Sequence, residues 1–153
     1  MPIAQLNIAR ARYQTDDPRM GDFMNNLDRM NAIAERSKGF IWRLQDESGN
    51  ATDIKRDGDP KELLNLSTWQ TPEDLEAYVF GTLHVQFYRR GKEWFEAPSA
   101  PHFVMWPIPD GHIPTIDEAL EKLADLTRDG STPDAFGWSE LPNAKLWMEK
   151  RCA

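Results

Sequence analysis

Four short segments predict strands, the first by the alternation of its residues and the other three by their content of strand-forming residues. The segments are Ile3 to Ala11, Phe40 to Gln45, Leu63 to Trp69 and His102 to Trp106. A period of two places successive side chains on opposite faces of a sheet. The turn-prone runs ESGN at 47–50 and DGDP at 57–60 predict a hairpin or a long, partly extended connection between the second and third strands.

Three other segments carry apolar residues at helical spacing, over residues 20–34, about 71–93 and 115–129. Thr71 is a suitable N-cap for the second helix, with Pro72 in its first turn. Thr115 and Glu118 have the spacing of a capping box, and Gly130 is placed to end the third helix. We therefore expect each of these segments to be helical.

The element order is strand, helix, strand, strand, helix, strand, followed by a further helix and a tail. This order predicts an α+β fold of the ferredoxin-like, split βαβ type, with a four-stranded antiparallel sheet and two helices on one face. We predict a single domain, with the ferredoxin-like core in residues 1–107 and the C-terminal helix and tail in residues 108–153. AFGW at 135–138 suits a short edge strand.

Apolar side chains occupy both faces of the predicted strands. In the fourth strand, for example, Phe103 and Met105 alternate with Val104 and Trp106. A sheet that is apolar on both faces needs a cover on each face. A second copy of the chain would cover the face without helices, and we therefore expect a homodimer.

Charge and composition exclude several classes of partner. The net charge is −7, which argues against binding to nucleic acid or to an anionic membrane surface. No apolar run reaches the roughly 20 residues that span a bilayer, and the first ten residues do not resemble a signal peptide. The single Cys152 allows no intrachain disulfide, which is typical of a reducing compartment. We expect a cytoplasmic protein.

His84 is the main candidate for chemistry. The second predicted helix has one apolar face, formed by Leu75, Val79, Leu83, Phe87 and Trp94. His84 falls at the edge of this face, where a pocket between helix and sheet would open. A histidine there suits a general acid or base, or a ligand of a metal or of heme iron. The alternative is a boundary histidine bonded to a backbone carbonyl or to water.

Polar residues on the third strand form a second candidate group. Asn65 and Ser67 share a face with Trp69, because they are two residues apart. Polar groups that face a core need partners, which a bound ligand can supply. The alternative is that they face water or bond each other. Arg43 on the second strand either pairs with an acid or binds a substrate oxygen.

Other catalytic signatures are absent from the sequence. His102 and His112 are ten residues apart, without the close spacing typical of metal ligands, and His112 is better interpreted as fixing the loop before the last helix. The sequence contains no nucleophile elbow, phosphate-binding loop or dinucleotide fingerprint. No metal is predicted.

Four motifs resemble a known family: GFIWRL at 39–44, NLSTW at 65–69, KEWF at 92–95 and GHIPTIDEALEKL at 111–123. They are similar to a family of bacterial domains of unknown function in the dimeric α+β barrel superfamily, over residues 2–136. That superfamily includes antibiotic-biosynthesis monooxygenases, heme-degrading monooxygenases and muconolactone isomerase-like enzymes. The resemblance implies a dimer with a ligand pocket in each subunit, between sheet and helices, and predicts fold better than chemistry.

The resemblance also implies roles for individual residues. Heme-degrading members use an asparagine on the first strand, which Asn7 matches, and a histidine on the second helix, which His84 matches. They also use a tryptophan earlier on that helix, where this chain has Tyr78 at a shorter spacing from His84. Cofactor-independent monooxygenases of the superfamily place Asn, Trp and Tyr or His around an oxidisable aromatic substrate, and this pattern fits better.

We therefore expect an enzyme that binds a flat, apolar or polyketide-like small molecule and acts by oxygenation, proton transfer or cyclisation. His84 would move the proton, and Asn7 and Asn65 would hold a carbonyl or enolate oxygen. The further expected substrate contacts are Ser67, Trp69, Tyr78, Trp42 and Arg43. No cofactor is predicted. One alternative is a heme protein with His84 as iron ligand, and another is a ligand-binding or structural dimer without catalysis.

Overall fold

Four strands form one antiparallel sheet in the part of the chain that the computed structural model describes, residues 1–45, 61–82, 84–98 and 101–141. The strands are β1 Ile3–Arg10, β2 Phe40–Arg43, β3 Glu62–Trp69 and β4 Phe103–Pro107. The helices are α1 Gly21–Asn25, α2 Leu27–Arg36, α3 Pro72–Gly81, α4 His84–Arg89, α5 Gly91–Trp94 and α6 Ile116–Asp129, with 3-10 turns at Pro18–Met20 and Trp138–Glu140. The predicted connection through ESGN and DGDP lies outside the described residues.

The strand order is β2-β3-β1-β4, as the split βαβ prediction requires. β1 pairs with β3 without a shift, from Ile3 opposite Trp69 to Arg10 opposite Glu62. On its other side, β1 pairs with β4, where Ile3 lies opposite Pro107. The ferredoxin-like α+β fold is therefore confirmed. The AFGW segment contributes two isolated bridges, Phe136 with Met105 and Ala135 with Thr132.

The second predicted helix is wrong as one continuous element, because it divides into α3, α4 and α5. Thr82 has an extended backbone (φ −122°, ψ −172°) and interrupts the helix after Gly81. Its hydroxyl donates to the Tyr78 carbonyl oxygen (2.6 Å) and accepts from the His84 backbone N–H (3.2 Å). The side chain thus satisfies backbone groups that the break leaves open. The predicted N-cap is confirmed, since the Thr71 hydroxyl accepts from the Asp74 N–H (3.1 Å).

One face of the sheet meets α2 and α3, and two separate apolar clusters cover its two ends. We call the first the helix-side core; its buried members are Ile3, Ala34, Trp69, Leu75, Tyr78, Val79, Phe80, Met105 and Leu141. We call the second the end core; it comprises Ala11, Met20 and Trp94 with the flanking Tyr13, Phe23, Met24, Phe87 and Phe95. The middle of this face, between the two cores, therefore belongs to neither apolar cluster.

The opposite face of the sheet is apolar and packs against α6 of the same chain. Its buried strand residues are Ala4, Leu6, Leu64, Leu66, Val104 and Trp106. The apolar stripe of α6 that meets them consists of Ile116, Ala119, Leu120, Leu123 and Leu126. The expectation that this face needs a second copy as its cover is therefore wrong, because α6 lies on it. The homodimer itself stays a prediction.

Glu118 ties the start of α6 to the sheet. Its N–H donates to the Thr115 hydroxyl (3.1 Å), as the capping-box spacing predicts. Its carboxylate accepts from Trp106 Nε1 (2.9 Å) and lies 2.7 Å from His112 Nε2. His112 thus fixes the loop before α6. Among the described residues, no helix is long and apolar enough to cross a membrane.

Gly39, which precedes β2, allows a close approach between β2 and α3. It has φ +83°, and a Cβ at this position would collide with the Asp74 side chain. Gly111 has a similar φ of +78°, but open space surrounds its missing Cβ. We expect Gly111→Ala to cost about 1–2 kcal/mol of unfolding free energy from backbone conformation alone. Gly39→Ala should cost about 1–3 kcal/mol more, because the collision adds to it.

Urea unfolding of the two glycine variants and the wild-type protein measures this difference. Equal losses in the two variants would contradict the close approach of Asp74.

Candidate functional site

Three ring side chains make successive contacts on the helix side of the sheet. Trp69, buried at the end of β3, stacks on Tyr78 of α3 with ring centroids 5.4 Å apart and planes inclined by 27°. Tyr78 in turn contacts His84, at 4.9 Å between centroids. The Tyr78 hydroxyl donates to the Met30 carbonyl oxygen (3.0 Å), and burial raises the pKa of this phenol. Tyr78 is therefore a neutral wall between the other two rings.

His84 presents an unprotonated ring nitrogen. Its Nδ1 lies 3.3 Å from the Val79 carbonyl oxygen. Because a carbonyl oxygen only accepts hydrogen bonds, this contact assigns the proton to Nδ1 and leaves the lone pair on Nε2. Burial lowers the pKa of His84, so the ring is neutral at pH 7. The bond to a backbone carbonyl matches one predicted alternative and also fixes the tautomer that a base or an iron ligand needs.

A hydrogen-bonded polar group lies beside Trp69, and Gln5 is at its centre. Gln5 Nε2 donates to Asn65 Oδ1 (2.6 Å) and to Ser67 Oγ (2.8 Å). Ser67 Oγ also accepts from Trp69 Nε1 (2.9 Å). Asn65 and Ser67 are thus joined through Gln5, a residue that the sequence analysis missed. Its position two residues from Ile3 and from Asn7 was the available signal, since all three share a face.

We call Gln5, Asn7, Asn65 and Ser67 the polar floor. Gln5 and Ser67 are buried, whereas Asn7 and Asn65, paired across β1 and β3, are exposed. The floor lies between the helix-side core and the end core. Helix α4 runs across the same interval, because its Val85 and Tyr88 contact the first core and its Phe87 contacts the second. A molecule reaching this floor would lie beside α4, the helix that His84 begins.

Asn7 and His84 are not joined by a hydrogen bond or ring contact in the described structure. Asn7 is level with Asn65, which lies four residues from Trp69, or about 13 Å along the strand. The contacts instead link His84 to the floor in steps, through Tyr78 and Trp69. The structure therefore does not bring the predicted pair of Asn7 and His84 into direct contact.

Trp42 lies on the α6 face, away from the other expected substrate contacts. The pairing of β2 with β3 shifts between Phe40 and Trp42, so that Trp42 is opposite Thr68 and Arg43 is opposite Ser67. This bulge places Trp42 and Arg43 on the faces opposite to those that regular alternation from Phe40 would give them. Arg43 consequently lies on the helix side, where its Nε donates to Glu35 Oε1 (2.8 Å). The predicted salt bridge of Arg43 is therefore present.

Comparison with known proteins identifies the family. A profile for a domain of unknown function, DUF3291, matches residues 2–152. The chain belongs to the DUF3291 family. A search of curated proteins found no match for this DUF3291 protein.

Solved structures share the fold of this DUF3291 protein. SnoaB, a cofactor-independent oxygenase from Streptomyces nogalater, is 8% identical with a TM-score of 0.51, over 71% of this chain and 94% of SnoaB. Rv0793 from Mycobacterium tuberculosis is 18% identical with a TM-score of 0.50, over 73% of this chain and 100% of Rv0793. A conserved protein from Methanosarcina mazei Go1 is 12% identical with a TM-score of 0.50, over 71% and 94% of the two chains. At these identities the similarity shows the fold alone.

The lowered pKa of His84 predicts a specific dependence of stability on pH. In the unfolded chain the imidazole titrates near its ordinary pKa of 6.5, whereas the folded protein protonates it only at lower pH. Between these two values the unfolded state binds more protons, so the free energy of unfolding falls as the pH falls. Above 6.5 both states are neutral and His84 contributes no slope.

Urea unfolding at several pH values tests this, with His84→Gln as the comparison. We expect the unfolding free energy of the wild type minus that of His84→Gln to be constant above about pH 6.5. Below that pH we expect this difference to decrease, because only the wild type loses stability through His84. A difference that stays constant from about pH 8 to pH 5 would contradict a lowered pKa.

Proposed function

We propose that the protein is an enzyme that takes a proton from a flat, largely apolar and activated aromatic substrate and passes the resulting carbanion to molecular oxygen. The observation that carries this proposal is the unprotonated Nε2 of His84, next to the stacked rings of Tyr78 and Trp69. The aromatic rings provide an apolar wall for the substrate, and the polar floor provides groups for its oxygen atoms.

A histidine with a lowered pKa suits one kind of base catalysis. It stays unprotonated at neutral pH, so the lone pair on Nε2 is available without prior loss of a proton. It is also a weak base, and the substrate must therefore supply an acidic C–H or O–H. A methylene that joins two aromatic rings, which a ketone also bridges, meets this condition, because loss of its proton gives an aromatic enolate.

Oxygenation needs no cofactor when the carbanion itself reduces oxygen. The carbanion adds to O₂ to give a peroxide, which takes up the proton from His84 and then loses water, so that CH₂ and O₂ become C=O and H₂O. SnoaB, which has the same fold, is a cofactor-independent oxygenase. Isomerisation and cyclisation begin with the same proton transfer but consume no oxygen.

Oxygen uptake with anthrone tests the proposal, because anthrone is a tricyclic ketone with such a methylene. We expect the wild-type protein, without added metal or cofactor, to consume one O₂ for each anthraquinone formed. His84→Gln should lower this rate by about 10²- to 10⁴-fold, the usual contribution of a general base. The wild-type rate should fall as the pH falls through the lowered pKa of His84.

His102→Gln is the matched control, since His102 is exposed just before β4, where its backbone carbonyl oxygen accepts from the Ile8 N–H. It should retain the wild-type rate. An unchanged rate in His84→Gln would refute the role of His84. Deuterium exchange into the methylene without oxygen uptake would point to proton transfer alone. The absence of both deuterium exchange and oxygen uptake would favour a non-catalytic binding protein.

Heme binding is the second candidate, and the same free Nε2 favours it, since neutral imidazole is a common iron ligand. His84 is the residue that would hold the iron, and heme would supply oxygen activation at that metal. The rest of the expected set fits less well: the Tyr78 hydroxyl is engaged by Met30, and Asn7 has no contact with His84.

Hemin titration distinguishes the two candidates. Heme ligation predicts a shift of the Soret band with the wild-type protein that is lost in His84→Ala and kept in His102→Gln. The cofactor-independent reaction predicts anthrone oxidation at the same rate with and without hemin. A shift that His84→Ala retains would refute iron ligation by His84.

A cytoplasmic homodimer completes the proposal, and its support is the family resemblance together with the partial exposure of Ile41 on β2 (42%). Light scattering at micromolar concentration should give twice the chain mass of 17.6 kDa. A mass equal to one chain would contradict the dimer.

A further inference from the structure

The hydroxyl group of Ser67 has a hydrogen that none of its contacts uses. A hydroxyl oxygen has two lone pairs and one O–H. Both lone pairs of Ser67 accept hydrogen bonds, from Gln5 Nε2 and from Trp69 Nε1. Among the described residues no acceptor contacts its O–H, although Ser67 is only 7% exposed.

The contacts of the Gln5 amide support this count. As placed, its two N–H groups donate to Ser67 and Asn65. Exchanging the amide oxygen and nitrogen of Gln5 would place two acceptor oxygens, Gln5 Oε1 and Asn65 Oδ1, 2.6 Å apart, which disfavours that arrangement. The Ser67 O–H is then an unused donor at a nearly buried position, where an unsatisfied donor is costly. A ligand with an acceptor atom would remove that cost.

The charge around this donor favours a negative acceptor. Arg43 lies directly opposite Ser67 in the pairing of β2 with β3. Its side chain is 14% exposed, whereas the side chain of its partner Glu35 is 47% exposed. The guanidinium is therefore the less screened charge of this pair, and it would attract a negative acceptor at Ser67. The exposed Asn7 and Asn65 form the adjoining, open part of the floor.

We propose that Gln5 and Ser67 form a donor subsite for the carbonyl or enolate oxygen of the ligand, with Ser67 as the contacting group and Gln5 as the positioning residue. This rests on the proposed function, because enolate charge arises when His84 takes the substrate proton. Substrates without an oxygen atom within hydrogen-bond distance of the Ser67 hydroxyl would bind by apolar contact alone. The subsite therefore selects flat ketones and phenols over hydrocarbons of the same shape.

Two matched probes test the subsite without catalysis: 9-fluorenone, a flat ketone, and fluorene, the same ring system without the oxygen. Tryptophan fluorescence titration gives both dissociation constants. We expect the wild-type protein to bind fluorenone about threefold to tenfold more tightly than fluorene, the worth of one hydrogen bond. The infrared carbonyl stretch of bound fluorenone should fall to lower frequency than in an apolar solvent.

Ser67→Ala should abolish this preference and the frequency shift while leaving fluorene binding unchanged. Ser67→Thr keeps a hydroxyl and should retain both effects, and Gln5→Leu should reduce both because the remaining hydroxyl loses its orientation. Ser131→Ala, in the exposed segment after α6, is the control and should match the wild type. The carbonyl stretch in the wild-type protein provides a test that needs no variant to fold.

The outcomes separate the subsite from the proposed function. Equal binding of the two probes, an unshifted carbonyl stretch, or a preference that Ser67→Ala retains would refute the subsite and leave the apolar site standing. Binding of neither probe would refute both. A fluorenone preference lost only in Ser67→Ala and reduced in Gln5→Leu supports the subsite even if anthrone is not oxidised.

Discussion

The antiparallel register of β1 against β3 determines the rest of the structure. It sets Gln5 opposite Ser67 and Asn7 opposite Asn65, on the same face as Ile3 and Trp69. A slip of one residue would turn these polar side chains of β1 toward α6 and send apolar ones to the floor. The register is therefore specified by both faces at once: α6 needs an uninterrupted apolar surface, and the helix side needs apolar ends with a polar middle.

The interruption at Thr82 is the second constraint. In a continuous helix, residues 78 and 84 would be about 9 Å apart along the axis and about 240° apart around it. Their rings would then point in different directions. The extended backbone at Thr82 ends α3, and α4 begins at His84 in a position that brings the centroid of its ring to 4.9 Å from that of the Tyr78 ring. The proximity of imidazole and aromatic stack is therefore a product of the break, and not of helical periodicity.

The sequence predicts those features that depend on neighbours along the chain. The alternation in β1, the strand-forming residues of β3, the cap at Thr71 and the spacing of Thr115 and Glu118 all lead to the observed elements. It predicts poorly whatever depends on a distant partner. The bulge in β2 moves Trp42 to the α6 face, and the destination of the apolar stripe of α6 follows from tertiary packing alone. The spacing of Gln5 from Ile3 and Asn7 indicates only which face it shares, and its role follows from Ser67, which the register places opposite it.

The position of α6 over the sheet has a consequence for how the chain acquires its fold. Translation delivers all four strands before α6, so the surface of Leu66, Val104 and Trp106 is made before its cover exists. Contacts between β1 and α6 join residues more than 100 positions apart, and closing so long a loop is slow. During that interval the uncovered apolar strands resemble the partly folded surfaces that aggregate. The timing of α6 relative to the sheet therefore bears on the yield of folded protein as well as on its final stability.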